Sequence, residues 1–174
     1  AGDVVKLTPS ADYSGTATIT VTVTDDGTPN ESDSEIFVLT VTAVNDAPVL
    51  AEIGAQSTNE DIPIDVTLSA TDVDGDTLTY SASSDNADVA VSVAGDVVTL
   101  TPSADYSGTA TISVTSNDGT DDSNTETFIV TITAVNDAPV LAGVSDQSTL
   151  EDTPIDVTLS ATDVEGDILT YSAS

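Results

Sequence analysis

The stretch Phe128-Ile129-Val130-Thr131-Ile132 decides the fold class of this chain. Every second side chain in it is large and apolar, which is the pattern of a β-strand with one buried face. Ile64-Asp65-Val66-Thr67-Leu68 has a similar alternation, and short runs rich in Thr, Val, Ile and Ser recur between clusters of turn-forming residues. Such runs are typical of strands. We therefore predict an all-β chain.

A seven-residue segment just beyond this stretch occurs twice. Val135-Asn136-Asp137-Ala138-Pro139-Val140-Leu141 is identical to residues 44–50, which lie 91 residues earlier. Residues 56–83 match 147–174, and residues 2–19 return 93 residues later. A unit of this length can fold alone, whereas the short repeats of solenoids need their neighbours. The sequence therefore predicts tandem domains.

The repeat places domain boundaries at the identical segments. We expect residues 1–46 to be the last half of one domain, 47–137 a complete domain, and 138–174 the first part of a third, within a longer repetitive polymer. Neither partial domain can bury a two-sheet core by itself. Neighbouring repeats of the same polymer, or other copies in a fibre, are expected to cover the apolar side chains that they carry: Leu7, Ile19, Val21, Val157, Leu159 and Tyr171.

Seven strands are predicted in the complete domain, at 48–51, 64–70, 78–83, 89–93, 97–101, 109–115 and 125–134. Seven short strands in a unit of this size are the pattern of an immunoglobulin-like Greek-key sandwich, and we expect such sandwiches end to end. The predicted inner faces carry alternating apolar side chains. They are Val66, Leu68, Leu78, Tyr80, Val98, Leu100, Ile112, Val114, Phe128, Val130 and Ile132.

Two local patterns refine this picture. Ala94-Gly95-Asp96 lies between two alternating runs and predicts a hairpin turn, because Gly adopts the positive φ that such turns need. Tyr106 and its counterpart Tyr13 each precede a predicted strand and are followed by Ser-Gly. Each is either the tyrosine of a tyrosine corner, with its hydroxyl bonded to upstream backbone, or an ordinary half-buried tyrosine.

The charge balance excludes several classes of function. The chain has 31 acidic side chains and one basic side chain, Lys6, with no Arg, His or Cys. Such a charge repels nucleic acids and anionic lipid surfaces. The familiar pairings of a nucleophile with a base are missing, so we predict that the chain is not an enzyme. No apolar run reaches the length of a membrane span, and no direct membrane insertion is expected.

The acidic residues collect between predicted strands and therefore at the two ends of the sandwich. One end is predicted to hold the linker Asn45-Asp46 with the loops 72–76 and 117–122, and the other end Glu60 and Asp105 with the linker Asn136-Asp137. Carboxylates repel one another unless a cation separates them. Oxygen ligands without His or Cys suit calcium better than zinc or copper.

The alternative is that these residues only form turns and cap local backbone. This alternative fits five positions well: Asp85, Asn86, Asp96, Asp121 and Asp122. It explains less well why a Glu-Asp pair, an Asp-x-Asp-Gly-Asp loop and an Asn-Asp linker recur together. An EF-hand is excluded, because the twelfth position of a loop that begins at Asp72 is Ser83 rather than Glu, and strands flank the loop.

The segment from Ser69 to Tyr80 resembles the Ala-Thr-Asp-x-Asp segment of cadherin repeats. Val44-Asn45-Asp46-Ala47-Pro48-Val49 resembles the cadherin linker, and Asn59-Glu60 the early Glu of that family. The whole unit is similar to the cadherin-like and immunoglobulin-like tandem repeats of large bacterial surface and secreted proteins.

The resemblance implies Ca²⁺ at each domain junction. For the first junction it implies the ligands Asp12, Asn45, Asp46, Asp72, Asp74 and Asp118. For the second junction it implies Glu60, Asp105, Asn136, Asp137, Asp163 and Glu165. The sequence departs from the cadherin pattern at Ala43 and at Ala104-Asp105-Tyr106, and we expect one or two ions per junction.

These observations predict a structural role outside the cell. The first hypothesis is a repeat of a calcium-stiffened rod, the stalk of a large bacterial adhesin. The second is a subunit of a self-assembling extracellular filament or matrix fibre. A lesser alternative is a non-catalytic spacer in a secreted enzyme, and another reading makes the acidity an adaptation to high salt without specific calcium.

Overall fold

The computed structural model describes residues 2–174, and within them the regular structure consists of β-strands. A helix with the length and apolar character of a membrane span is not found in that part of the chain. The strands are β1 (Gly15–Thr24), β2 (Ser32–Val41), β3 (Val49–Leu50), β4 (Gln56–Asn59), β5 (Ile64–Thr67), β6 (Ala70–Thr71), β7 (Thr79–Ser84), β8 (Val89–Ala94), β9 (Val97–Pro102), β10 (Gly108–Asn117), β11 (Glu126–Thr133), β12 (Val140–Leu141) and β13 (Ala161–Thr162). The predicted all-β class is confirmed.

The chain divides into two compact units. The first holds the chain up to Leu50 together with Ala70–Thr79 and Ser116–Asn124. The second holds Ala51–Ser69, Tyr80–Thr115 and Thr125–Ser174. The two units alternate along the sequence, so they do not follow the 91-residue repeat. The predicted boundaries of the tandem domains stay a prediction.

In the first unit, β1 and β2 form an antiparallel hairpin in which Ile19 lies opposite Phe37. The loop between them is closed by Asp25, whose carboxylate accepts hydrogen bonds from backbone amides within the loop. The short strands β3 and β6 pair antiparallel, with Leu50 opposite Ala70. Leu50 is buried, since every other residue of these strands faces inward.

The second unit contains the main core. Its strands form a four-stranded sheet in the order β4-β11-β10-β7 and a three-stranded sheet in the order β5-β9-β8. The buried apolar side chains of this unit alternate along the strands, as in a sandwich of two sheets. They are Val66, Leu68, Val89, Val98, Leu100, Ala110, Ile112, Val114, Phe128, Val130 and Ile132.

The predicted inner faces are confirmed except at Leu78 and Tyr80, which are half-buried. Tyr80 belongs to β7, the strand at one edge of the four-stranded sheet. An edge strand has a neighbour on one side only, so its side chains are less covered. Val89 and Ala110 are buried although the sequence did not single them out.

Two strands differ from the prediction. β4 was not predicted, because Gln56-Ser57-Thr58-Asn59 is polar throughout; it pairs parallel with β11 at the sheet edge. The predicted strand 64–70 is divided into β5, which pairs with β9, and β6, which pairs with β3. Between them the Leu68 amide donates to the Asp96 carbonyl, and the Ser69 carbonyl accepts from Ala51.

The turn prediction at Gly95 is confirmed. β8 and β9 pair up to Ala94 and Val97, which leaves a two-residue loop, and Gly95 has a φ of 62°. The tyrosine corner is wrong, because the Tyr106 hydroxyl donates downstream to the Thr109 carbonyl, at 3.2 Å. Tyr13 makes the same bond to the Thr16 carbonyl, also at 3.2 Å.

Gly108 explains why the tyrosine hydroxyl turns downstream. Its φ is 154°, and a Cβ atom added there would lie 2.6 Å from the Tyr106 hydroxyl oxygen. The tyrosine ring therefore lies directly against the glycine backbone at the start of β10. The Asn86 side chain completes this arrangement by donating to the Tyr106 hydroxyl at 2.6 Å.

The last part of the second unit repeats the pairing seen near Leu50. β12 and β13 pair antiparallel with Leu141 opposite Ala161, in the register of β3 and β6. Most large apolar side chains of residues 138–174 are exposed, including Val157, Leu159 and Tyr171. Leu7 and Val21 are exposed in the first unit as well. That contacts from outside the chain cover them stays a prediction.

Candidate metal centres

The loop between β6 and β7 gathers three carboxylates. Asp72 caps this loop, since its Oδ1 atom accepts hydrogen bonds from the amides of Gly75 and Asp76, at 2.9 and 3.1 Å. Gly75 has a φ of 79°, which lets the chain turn back. As a result Asp72, Asp74 and Asp76 each place a carboxylate oxygen within 4.8 Å of the others.

The first linker adds a fourth acid to this loop. The Asp46 amide donates to the Oδ2 atom of Asp74 at 2.8 Å, which holds the linker against the loop. Asp12, Asp46 and Asp74 line a cavity of about 260 Å³ in the first unit. We call the following five residues the Asp46 cluster: Asp12, Asp46, Asp72, Asp74 and Asp76.

The electrostatics of the Asp46 cluster are unfavourable without a cation. Desolvation raises the pKa of the Asp46 carboxyl above its ordinary value. Neighbouring negative charges raise the same pKa further, and they belong to Asp12, Asp74 and Asp72. Burial and repulsion both disfavour a charged carboxylate, so a bound cation would relieve both.

Asn45 and Asp118 are brought together, but they bind each other. The Asn45 side-chain amide donates to Oδ2 of Asp118 at 2.9 Å and to Oδ2 of Asp121 at 3.0 Å. Hydrogen bonds from the Asp121 backbone and then from the Asn45 side chain lower the pKa of Asp118. This contact fixes the linker to the loop 117–122. Sequence reasoning assigned Asp121 to a simple turn and missed its contact with Asn45.

The second group lies in the second unit. Glu60 is buried, and its Oε1 atom accepts a hydrogen bond from the Val135 amide at 2.5 Å. The Asp137 amide donates to Oε2 of Glu165 at 3.2 Å. Carboxylate oxygens of Glu60, Asp137 and Glu165 lie within 4.8 Å of one another. We call these three residues the Asp137 cluster.

Repulsion dominates the Asp137 cluster as well. Desolvation raises the pKa of Asp137, and so do the charges of four other acids: Glu165, Asp105, Glu60 and Asp61. The Oδ2 atom of Asp137 is buried and has no hydrogen-bond partner among the described residues, and the same holds for Oδ2 of Asp72. Each of these oxygens is free to accept a hydrogen bond from water or to coordinate a cation.

The donor atoms fit a hard divalent cation. Both clusters offer only oxygen, which is the ligand set of calcium and magnesium rather than of zinc or copper. Each cluster also joins a linker residue to an acid of a neighbouring loop. The residues present therefore fit the calcium that the sequence predicted.

The two clusters share a linker aspartate and one loop acid, and differ in their other members. Asp46 and Asp137 occupy equivalent positions 91 residues apart, and so do Asp74 and Glu165. The bond from the linker amide to the loop carboxylate is present in both copies, and the pKa of the linker aspartate is raised in both. The linker aspartate and the loop acid therefore lie in the same relation at both linkers.

The remaining predicted ligands lie near the clusters with other partners. Asp105 contributes charge to Asp137. Asp163 accepts a hydrogen bond from the Asp167 amide at 2.9 Å, as Asp72 does from Asp76. Asn136 donates through its side chain to the Asp137 carbonyl at 3.0 Å. The predicted acids thus lie in or beside the two clusters, and their role as calcium ligands stays a proposal.

Sequence reasoning placed Asp76 and Asp61 in the acidic groups but did not assign them as ligands. Their signal was present, since both stand beside predicted ligands. Asp85 was predicted to cap local backbone, which is wrong: its Oδ1 atom accepts a hydrogen bond of 2.7 Å from Thr111, 26 residues away. This bond lowers the pKa of Asp85.

Comparisons with known proteins agree with the fold. The family described as Bacterial Ig domain matches residues 45–131. Chitinase A of Pseudoalteromonas piscicida is 37% identical over 139 residues, which is 75% of this chain and 16% of that protein. This chain therefore spans a small part of that relative.

Solved structures of cadherin domains are similar in fold. Protocadherin Gamma B2 extracellular cadherin domains 1-5 match 86% of this chain and 32% of that one, with 20% identity and a TM-score of 0.54. Protocadherin Gamma B7 extracellular cadherin domains 1-4 match 86% of this chain and 41% of that one, with 21% identity and a TM-score of 0.53. The predicted likeness to immunoglobulin-like and cadherin-like repeats is confirmed.

Proposed function

We propose, from the premise that this chain belongs to the bacterial Ig domain family, that it is a non-catalytic structural repeat of an extracellular rod stiffened by calcium. In its more specific form, the proposal is that this rod is the stalk of a large bacterial adhesin. One observation carries this proposal: at each linker an aspartate whose pKa is raised by neighbouring acids donates its amide to a loop carboxylate, within a group of carboxylates that no basic side chain neutralises.

Calcium has defined ligands in this proposal. Asp12, Asp46, Asp72 and Asp74 hold it at the first linker. Glu60, Asp137 and Glu165 hold it at the second, with Asp105 close enough to contribute charge. The ion supplies positive charge where the chain has none of its own, since the only basic side chain is Lys6.

Stiffening follows from the position of these ligands. Each cluster contains a linker aspartate and an acid from a loop, so one ion ties two segments of the chain together. Without the ion, the carboxylates repel one another and the only direct tie from the linker aspartate to the loop acid is a single backbone hydrogen bond. The bonds from Asn45 to Asp118 and Asp121 remain at the first linker, so we expect loss of the ion to loosen the linker rather than to free it.

An extracellular location agrees with this chemistry. Extracellular modules bind calcium with dissociation constants of roughly 10⁻⁴ to 10⁻³ M. A junction of that affinity fills outside the cell, where calcium is abundant. The absence of Cys means that the fold needs no disulfide in either compartment.

A second candidate is a non-catalytic spacer in a secreted enzyme. The match to chitinase A favours it, because this chain corresponds to 16% of that protein. The two candidates share one module and differ in what the rod carries. The complete coding sequence separates them: a glycosidase catalytic domain would favour the spacer, and a tip domain with basic or aromatic ligand groups would favour the stalk.

Calorimetric titration of the 174-residue chain with calcium tests the proposal. We expect saturable binding at two sites, with magnesium a weaker competitor because it loses its hydration water reluctantly. Small-angle scattering should then show a larger maximum dimension in calcium than in chelator. Heats no different from those of an equal charge of sodium chloride would contradict the proposal and favour the high-salt reading.

A further inference from the structure

An aspartate precedes a glycine at two places in the complete repeat. Asp74-Gly75 lies in the loop after β6, and Asp118-Gly119 lies in the loop after β10. In such a pair the backbone nitrogen of the glycine can attack the side-chain carboxyl carbon of the aspartate, and glycine favours the attack because it has no Cβ atom in the way. The two pairs have the same intrinsic chemistry, so any difference in their reactivity comes from their loops.

The Asp118 carboxylate is held on both of its oxygens. Oδ1 accepts the backbone amides of Thr120 and Asp121, at 2.6 and 2.7 Å. Oδ2 accepts the side-chain amide of Asn45 at 2.9 Å. These bonds fix the side chain as a cap of its own loop. A rotation of the carboxyl group towards the Gly119 nitrogen has to break them.

The Asp74 carboxylate is held on one oxygen only. Among the described residues a single hydrogen bond reaches it, from the Asp46 amide to Oδ2 at 2.8 Å. The Asp74 side chain can therefore turn towards the Gly75 nitrogen at the loss of one hydrogen bond, whereas Asp118 has three to lose.

The two glycine amides differ in the same direction. The Gly119 amide donates to Oδ1 of Asn117 at 2.7 Å. The Gly75 amide donates to Oδ1 of Asp72 at 2.9 Å, and the Asp76 amide donates to the same oxygen at 3.1 Å. The nitrogen of Gly75 thus shares its acceptor, so it is the less firmly held of the two nucleophiles.

The charges around Asp74 also favour the attack. Carboxylate oxygens of Asp72, Asp74 and Asp76 lie within 4.8 Å of one another, so their charges repel. The cyclic imide that the attack forms is uncharged, and reaction at Asp74 therefore removes one of three crowded charges. Reaction at Asp118 would instead destroy a carboxylate that three hydrogen-bond donors stabilise.

We propose that Asp74 is a site of spontaneous covalent modification, where the backbone rearranges to isoaspartate, and that hydrogen bonds protect Asp118 from the same reaction. The Asp74 carboxylate takes up one proton from water, and the Gly75 nitrogen attacks its Cγ atom. A C–N bond forms, and one carboxyl oxygen leaves as water with the added proton and the amide proton. Water then opens one of the two C–N bonds of the five-membered imide, which gives either aspartate or isoaspartate.

The rearranged residue changes the loop in two ways. The main chain of residue 74 then runs through Cβ and Cγ, so the loop is one carbon atom longer. The remaining carboxylate is attached directly to Cα, which shortens its reach and removes the bond from the Asp46 amide to Oδ2. Calcium binding at the Asp46 cluster should therefore weaken as the protein ages, a consequence that rests on the proposed function.

The equivalent loop 91 residues later keeps the turn and lacks the reactive side chain. Glu165 stands at the position of Asp74, and Gly166 follows with a φ of 76°, beside 79° at Gly75. The same attack on a glutamate closes a six-membered ring, which forms much more slowly than a five-membered one. The sequence thus supplies its own resistant variant, Asp74→Glu.

Incubation of the 174-residue chain in chelator at neutral pH, followed by peptide mapping with mass spectrometry, tests the proposal. A protease that cleaves on the amino side of aspartate does not cleave before isoaspartate, and the imide intermediate is lighter by one water. We expect cleavage before residue 74 to be lost progressively, while cleavage before residue 118 stays complete.

Three variants test the cause of the difference. Asp74→Glu should abolish the imide and the rearrangement in its loop. The double variant Asn45→Ala with Asn117→Ala removes one bond to the Asp118 carboxylate and the acceptor of the following glycine amide, so it should raise isoaspartate at residue 118 several-fold. Asn59→Ala, at an exposed position of β4, is the control and should change neither residue.

Incubation in calcium separates this inference from the proposed function. An ion on the Asp46 cluster would engage the Asp74 carboxylate and offset the repulsion, so the modification should slow. If calorimetry shows no calcium binding, the comparison of residues 74 and 118 in chelator still decides the inference.

Four results would overturn the inference. They are equal isoaspartate at residues 74 and 118, none at residue 74, no rise at residue 118 in the double variant, or calcium that binds and leaves the rate at residue 74 unchanged. The last result would show that repulsion among the loop carboxylates does not drive the reaction.

Discussion

The backbone amide of Asp137 donates a hydrogen bond of 3.2 Å to the Glu165 carboxylate. The bond holds the linker in a position where neighbouring acids, Glu165 first among them, repel the Asp137 carboxylate and raise its pKa. An equivalent bond joins Asp46 to Asp74. Because the two clusters share no residue, each can be removed without the other.

Asp137→Ala should abolish or strongly weaken one calcium site and leave the other intact. Loss of a residue that merely orients a ligand costs about 10- to 100-fold in metal affinity, and loss of a ligand should cost at least as much. Calorimetric titration would show one remaining site of unchanged affinity. Asp96→Ala, in the exposed Gly95-Asp96 turn, is the control, and equal losses in both variants would refute the assignment.

Asp163→Ala tests whether Asp163 supports the loop that presents Glu165. Asp163 accepts the Asp167 amide, so its loss should loosen the loop that presents Glu165. We expect weaker calcium binding at the Asp137 cluster and unchanged binding at the Asp46 cluster. Titration of Asp163→Asn would complete the test, since an amide oxygen can still accept the Asp167 amide.

Asp46→Asn should stabilise the protein in chelator while it weakens calcium binding at the Asp46 cluster. The pKa of Asp46 is raised, so its contribution to stability is present below the ordinary pKa and is lost as pH rises through the raised pKa. At neutral pH the neutral amide avoids this loss. Thermal melts in chelator should give a higher midpoint than wild type at pH 7, and a smaller difference near pH 4.

Asp85→Asn should change the melting temperature in the opposite direction. The pKa of Asp85 is lowered by its bond from Thr111, so its contribution is present above the ordinary pKa and is lost as pH falls through the lowered pKa. The variant should therefore melt at a lower temperature than wild type at pH 7, with calcium or without. A melting temperature that rises would contradict the direction of the pKa shift.

Gly108→Ala should destabilise the second unit. A Cβ atom at a φ of 154° is strained, and it would lie 2.6 Å from the Tyr106 hydroxyl. We expect a loss of about 1–3 kcal/mol in the free energy of unfolding, measured by denaturant titration. Gly54→Ala is the control, because a Cβ atom there meets nothing within 4 Å.

The core of the fold could be predicted from the sequence because it depends on a local pattern. Ile112 and Val114 alternate with polar neighbours, and this alternation places them in the interior. β4 could not be predicted, since Gln56-Ser57-Thr58-Asn59 carries no apolar signal and forms a strand only through its pairing with β11. The division of residues 64–70 likewise depends on two different partner strands.

The sequence predicted where the acidic clusters lie, but it did not predict all of their contacts. Asp46, Asp74, Asp137 and Glu165 were predicted as ligands through the resemblance to cadherin repeats. The bond from Asn45 to Asp121 joins residues 76 positions apart, and no local pattern announces it. Side-chain contacts of that kind depend on the tertiary fold, which the alternation of residues does not specify.

The parallel pairing of β4 with β11 determines how the second unit would respond to tension. β4 lies near the beginning of the complete repeat and β11 near its end, and both run in the same direction with Gln56 beside Val130 and Asn59 beside Thr133. A force that draws the chain apart at these two ends pulls β4 backwards and β11 forwards along a common axis. The hydrogen bonds between them are then loaded together in shear instead of opening one after another, so we expect the pairing of β4 with β11 to contribute resistance to mechanical extension.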